Sequence, residues 1–193
     1  MRNEPQNPGM SQVERVLLDR ALADPDAFAD IIERHQAMVY SLAYNFFQNR
    51  TLAEDIAQDA YLELYRNLGK LESDLHLGFW LRQTVTRKCI DQTRRLKHRR
   101  HQALEDAPEP GWEPPESDPL LADEINSKVA LLPEKMRAVV ILRFQEDLKL
   151  SEIGEILEMP VNTVKTTLRR ALQRLRPKVA HLEEGAVYGP IRA

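Results

Sequence analysis

Residues 150–172 read LSEIGEILEMPVNTVKTTLRRAL, and the way this stretch winds decides the fold of the C-terminal half. Ser151 stands where a side-chain cap would start a helix over SEIGEILE, and Met159-Pro160 interrupts it. The spacing therefore predicts a short helix, a tight turn and a second helix from Val161 to about Lys178. Ile153, Leu157, Met159, Val164 and Leu168 fall where two helices crossing at a steep angle need apolar contacts. Gly154 falls at the crossing itself, where the lack of a side chain lets the second helix approach. Glu158 departs from the pattern: it occupies the turn position where glycine is usual, and a side chain held at positive φ costs on the order of 1 kcal/mol.

The second helix of the pair is one-signed. VNTVKTTLRRALQRLR, residues 161–176, carries five basic residues and no acid in a chain of formal net charge -3. A solvated helix face normally mixes signs, because opposite charges four apart support each other and like charges repel. A one-sign run on the later helix of a helix-turn-helix points to DNA, with that helix entering the major groove. An ordinary bundle with a basic surface helix would explain the apolar spacing but not the coincidence with the charge. Asn162, Thr163, Lys165, Thr166 and Arg169 lie on the N-terminal part, in reach of base edges, whereas Arg170, Arg174, Arg176 and Lys178 continue as phosphate contacts.

Composition agrees with a helical, non-exported protein. Of 193 residues 42% are hydrophobic, 30% charged and only 6% aromatic, so the core should be aliphatic, and seven glycines leave little room for hairpins. The single cysteine, Cys89, excludes an internal disulfide and a cysteine zinc cluster, which fits a reducing compartment; cytoplasm is the expected location. No apolar run approaches the roughly 20 residues of a membrane helix, and MRNEPQNPGM has no signal-peptide core, so no membrane insertion is expected.

Charge is segregated along the chain. Residues 82–101 hold eight Lys or Arg against one acid, Asp91, while residues 105–124 hold eight acids, five prolines and no Lys or Arg. A one-sign, proline-rich stretch such as EDAPEPGWEPPESDP cannot bury enough apolar surface to order itself. The expected organisation is all-α: a disordered N-terminus at 1–10, a helix bundle at 11–100, a flexible acidic linker at 101–118, a helix-turn-helix domain at 119–180 and a tail at 181–193. Within the bundle, a first helix follows a Ser11 cap with Val13, Val16, Leu17 and Leu22 inward, and Asp24-Pro25-Asp26 forces a turn. A second helix runs from Asp26 to about Phe47 on an apolar stripe from Phe28 to Phe46, a third from Leu52 to Leu68, and a fourth from Trp80 to about Arg100. The C-terminal domain adds a helix ending at Leu131 and another with Pro133 in its first turn, where the missing N–H is harmless.

The third helix, AEDIAQDAYLELYR at residues 53–66, projects two faces. Ile56, Ala60, Tyr61, Leu64, Tyr65 and Leu68 face inward; Asp55, Gln58, Asp59, Leu62 and Arg66 face out. Acids beside an unburied leucine read either as a docking face or as a solvated face with one stray leucine, and the residues alone leave both open.

AEDIAQDAYLELY resembles the core-polymerase-binding helix of bacterial sigma factors, specifically the short two-domain extracytoplasmic-function (ECF) group, in which an AEDxxQxxFxxxW-like pattern recurs. LPEKMRAVVILRFQEDLKLSEIGEILEMPVNTVKTTLRRALQRLR resembles that group's promoter-binding C-terminal domain over nearly its whole length. The resemblance implies that Asp55, Gln58, Asp59, Leu62 and Arg66 grip the clamp helices of the largest subunit of core RNA polymerase. It implies that SDLHLGFWLRQTVTRKCIDQTRRLKHRR, residues 73–100, opens the minus-ten element of promoter DNA. Leu77, Phe79 and Trp80, on a loop at 73–79 and the helix after it, then offer apolar and π surface to an unstacked base, while Arg94, Arg95, Lys97, Arg99 and Arg100 track phosphates. Core packing is the alternative role for Phe79 and Trp80, and for Trp80 it is the favoured one. Arg87 and Lys88 fall in the minus-ten segment where the pattern has an asparagine and an apolar residue, and Thr84 also replaces an apolar one. The recognition helix, with Asn162, Thr163, Lys165, Thr166, Arg169, Arg170 and Arg174, is assigned to the minus-thirty-five element. The linker either mimics phosphates along the polymerase's RNA path or is a plain tether. An anti-sigma factor is an implied partner, and a monomer is expected.

Two other classes compete. A one-component helix-turn-helix regulator with a dimerising N-terminal bundle accounts for the recognition helix, but not for the α-helical docking face or for a second basic helix before the linker. An enzyme is disfavoured: His35, His76, His98, His101 and His181 have no metal-type spacing, Cys89 has no partner base in view, and no glycine-rich phosphate loop occurs, so no cofactor, metal or catalytic residue is expected.

Overall fold

The computed structural model of the chain describes residues 15–104 and 121–186. All its regular elements among those residues are helical: α1 (Val16–Ala23), a 3-10 turn (Pro25–Ala27), α2 (Phe28–Phe47), α3 (Arg50–Asn67), a second 3-10 turn (Leu68–Lys70), α4 (Asp74–Leu104), α5 (Leu121–Ala130), α6 (Glu134–Phe144), α7 (Leu150–Leu157) and α8 (Val161–Ala186). The expected disordered N-terminus at 1–10, the Ser11 cap, linker residues 105–118 and tail residues 187–193 lie outside the described residues, while 101–104 continue α4 and 181–186 continue α8 through Pro177. None of the described helices is long and apolar enough to cross a membrane.

In the first bundle α2, α3 and α4 pack around Val39, Leu42, Phe46, Ile56, Leu64, Leu81 and Val85. The α2–α3 turn is tight because Gln48 takes the left-handed conformation (φ 51°) and Asn49 then caps α3, its side-chain oxygen accepting from the Leu52 N–H at 3.0 Å. Asp24 caps the first 3-10 turn in the same manner, accepting from the Asp26 N–H at 3.0 Å.

Three local expectations are corrected. The buried residues of α1 are Leu18 and Ala21, not Val16 and Leu22, which are both half exposed; the N–H groups of Leu17 and Leu18 reach the Asp74 carboxylate at 3.3 Å, which sets the phase of this short helix. Tyr65 is exposed at the edge of α3 and meets the Phe28 ring edge-on, with centroids 5.2 Å apart. The stretch at 73–79 is not a loop: the Ser73 hydroxyl accepts from the His76 N–H at 3.0 Å and α4 starts at Asp74.

In the second unit α5 to α8 enclose Val139, Leu142, Ile153, Ile156, Val164 and Ala171. Lys149, not Ser151, is the cap residue of α7, and its backbone N–H donates to the Glu152 carboxylate at 2.6 Å. The helix-turn-helix is built as its sequence requires. Glu158 is held at φ 52°, and a Cβ on Gly154 would come within 2.8 Å of the Met159 carbonyl oxygen. That oxygen belongs to rigid turn backbone, so Gly154→Val is expected to destabilise the chain by about 1 to 3 kcal/mol, read from denaturant midpoints at constant slope.

Candidate functional site

Helix α3 presents Asp55, Gln58, Asp59, Leu62 and Arg66 to solvent together, and Leu62 is 48% exposed on a face whose opposite side is core. Beside it, a polar groove of about 300 Å³ between α3 and α4 is lined by Asp59, Glu63, Arg87, Lys88, Asp91 and Arg95, among others. Lys88 is half-buried there and donates to Glu63 at 2.8 Å.

Helix α4 divides along its length. Leu77, Leu81, Val85 and Cys89 recur every fourth residue and all are fully buried, so this line is the core seam. Leu77 is therefore a packing residue and not a surface for an unstacked base, which corrects the sequence-based assignment. Phe79 and Trp80 are half-buried against the same core, and Thr84 is buried. The large apolar side chain exposed at this end of α4 is Leu75, 77% accessible, which sequence reasoning missed. The four-residue repeat carried the signal, since Leu75 lies two positions off the seam and so on the opposite side. Burial pushes the Cys89 thiol up in pKa, consistent with a small core residue.

Arg87, Arg94, Arg95, Lys97 and Arg99 are exposed along the rest of α4, with Arg100 on the same helix. Several of these are engaged by carboxylates from the second unit: Arg87 pairs with Glu158, Lys97 donates to Glu134 at 2.8 Å, and Arg94 lies 4.0 Å from the other oxygen of Glu134. The hydrogen bond from Lys97 holds the Glu134 carboxyl below its ordinary pKa.

On α8, Asn162, Thr163, Lys165, Thr166, Arg169, Arg170 and Arg174 are all exposed, while Val164, Ala171 and Leu175 are buried. The Thr166 hydroxyl is within 3.0 Å of the backbone carbonyls of Asn162 and Thr163. The helix thus offers a continuous polar and cationic face over its first four turns, N-terminal end outward from the turn.

A helix-turn-helix with a cationic outer face, joined to a bundle carrying a second basic helix and an acid-and-leucine face, defines a DNA-directed transcription protein of two helical units. Residues 31–99 match the Sigma-70 region 2 family and residues 122–175 match Sigma-70, region 4. The ECF RNA polymerase sigma factor SigW of Bacillus subtilis is 34% identical over 172 residues, covering 82% of this chain and 92% of that protein. RNA polymerase sigma factor SigV of the same organism is 30% identical over 145 residues, covering 75% and 86%. Among solved structures, CnrH in complex with the cytosolic domain of CnrY superimposes with a TM-score of 0.64 at 22% identity, covering 88% of this chain and 99% of that one. RpoE in complex with the anti-sigma factor NepR, from Bartonella quintana, gives 0.63 at 18% identity, covering 78% and 94%. The chain belongs to the ECF group of bacterial RNA polymerase sigma factors, and its function is to bind core polymerase and direct it to promoters.

Proposed function

We propose that the three exposed surfaces divide the work of initiation. The α3 face of Asp55, Gln58, Asp59, Leu62 and Arg66 docks on the clamp helices of the polymerase largest subunit. The exposed cations of α4, from Arg87 to Arg99, follow the minus-ten phosphates together with Arg100 further along the helix, and Leu75 with Phe79 receives an unstacked base. The α8 face reads the minus-thirty-five element. Residues 11–100 and 119–180 are the corresponding domains. The protein works as a cytoplasmic initiation factor, by binding rather than by covalent catalysis. The single observation that carries this reading is the presence of two separate cationic helix faces and an acid-and-leucine face on one chain. A one-component regulator needs only one of these. Because the solved relatives are in complex with NepR and with the cytosolic domain of CnrY, an anti-sigma partner is proposed for this chain too. Run-off transcription with purified core polymerase and a genomic promoter pool tests the whole: no promoter-dependent transcript above core alone overturns it.

The division within α8 is tested separately. Arg169→Ala is expected to lose roughly 1 to 3 kcal/mol at preferred minus-thirty-five sequences and to relax base choice, whereas Arg174→Ala weakens binding to all sequences alike and flattens the salt dependence. Equal shifts across every sequence in both variants would show that α8 is not so divided.

A further inference from the structure

The outward face of α8 has a centre, and the residue there is not charged. At 3.6 residues per turn Thr166 lies roughly 180° to 220° around the helix from Val164, Ala171 and Leu175, the buried residues of α8. It faces directly away from the core. Asn162 stands one turn before it, Arg169 and Arg170 stand one turn after, and all are exposed. A helix laid in the major groove with this face inward brings Thr166 to the base edges at its middle, with the longer polar side chains reaching out on either side. The Thr166 hydroxyl is already used. Its one proton is shared between the carbonyl oxygens of Asn162 and Thr163, each at 3.0 Å, the back-bonding by which a threonine satisfies itself within a helix. The preceding turn closes one of the three positions about Cβ, so fixing the hydroxyl fixes the methyl as well. Thr163 is the contrast, since its hydroxyl has no hydrogen-bond partner among the described residues and stays open to one.

The middle of the face therefore offers DNA a methyl group among hydrogen-bonding side chains. Thymine alone of the four bases carries a methyl in the major groove, and apolar contact with it is a direct form of readout. We infer that Thr166 is a specificity-determining residue, reading a thymine of the minus-thirty-five element by contact between the two methyl groups and not by a hydrogen bond. The inference rests on the assignment of α8 to that element made above. A hydroxyl whose proton is spent can only accept, so the competing partner is the amino group of an adenine or a cytosine. That contact needs the hydroxyl, whereas the thymine contact does not.

Holoenzyme assembled from the full chain and core polymerase tests this on duplexes carrying the strongest promoter of the genomic pool with its minus-thirty-five segment randomised, made once with thymidine and once with deoxyuridine. Uracil lacks only the methyl, so base pairing and the hydrogen bonds of the groove are kept. Sequencing of the bound duplexes is expected to show one position where the preference for thymine falls about fourfold when uracil replaces it, the effect of burying one methyl group. Thr166→Ser keeps the hydroxyl without the methyl and should select alike from both pools at that position. Thr166→Val keeps a methyl without the hydroxyl and should retain the uracil penalty, as should Thr163→Ser. Each of these is a small change on an exposed helix face and leaves the fold intact. Arg169→Ala reports on α8 separately, by altering the sequences selected from the thymidine pool. Loss of the uracil penalty in Thr166→Val, or its persistence in Thr166→Ser, overturns the inference. So does selection indifferent to the methyl at every position while Arg169→Ala still alters the sequences chosen. If neither Arg169→Ala nor either Thr166 variant alters them, α8 does not read this element, and the inference falls with that reading.

Discussion

Asp55→Lys with Asp59→Lys is expected to abolish measurable association with core polymerase, while helicity and melting temperature stay close to those of the unaltered chain. Both carboxylates are exposed on α3 and neither forms an ion pair among the described residues, so the fold loses nothing by their removal beyond a few tenths of a kcal/mol. At an interface the balance differs. Truncating one member of a desolvated charge pair costs about 2 to 5 kcal/mol, and reversal adds repulsion to the loss. Two reversals on one face therefore exceed about 4 kcal/mol, a thousandfold in affinity. Leu62→Ala gives a smaller drop, because an exposed leucine contributes about 1 to 3 kcal/mol only once a partner covers it. Titration of labelled protein into core polymerase measures both. Unaltered affinity in the double variant would place the docking surface elsewhere.

What could be read from sequence tracks how local each determinant is. The turn of the helix-turn-helix was legible because its constraints lie within a few positions of one another: Gly154 against the Met159 carbonyl, and Glu158 at φ 52° in the turn; its cap was not, since Lys149 and not Ser151 starts α7. The α3 face was legible because the helical period gathers Ile56, Ala60 and Leu64 on one side and Asp55, Asp59 and Leu62 on another. The phase of α1 was not. Val16, Leu17, Leu18, Ala21 and Leu22 surround a helix of eight residues on most sides, and the choice is made by the Asp74 carboxylate, 56 residues away from Leu18. The start of α4 was misread for a different reason. Leu-His-Leu-Gly looks like a loop by composition, whereas the Ser73 cap and the buried series Leu77, Leu81, Val85 and Cys89 make it helix, turning Leu77 inward and leaving Leu75 out. The pairing of Glu134, Glu146 and Glu158 with α4 joins residues 37, 64 and 71 apart, and no periodicity reaches across such separations.

That relocation of the exposed leucine changes how promoter opening is to be tested. Leu77 is fully buried, so Leu77→Ser would cost about 3 kcal/mol or more of stability and would report folding, not DNA. Leu75 is accessible and free of that objection; Phe79 is half-buried and adjoins it on α4. A base inside duplex DNA reaches neither side chain until it leaves the stack, at a cost of a few kcal/mol. The free chain has little with which to offset that cost, since Arg87, Arg94 and Lys97 already hold carboxylates of the second unit. Core polymerase, by gripping α3, supplies the position along the promoter, and contact of the released base with Leu75 and Phe79 returns about 1 to 3 kcal/mol per base. Opening therefore needs both partners. A fluorescent adenine analogue placed through the minus-ten element is expected to brighten only when the chain and core polymerase are both present. Leu75→Ser should slow the brightening about tenfold, and Leu75→Ser with Phe79→Ser should suppress it nearly completely, with core affinity and melting of the Leu75→Ser chain unchanged. Brightening by the chain alone on duplex DNA, or a normal rate and extent in the double variant, would remove this end of α4 from the opening step.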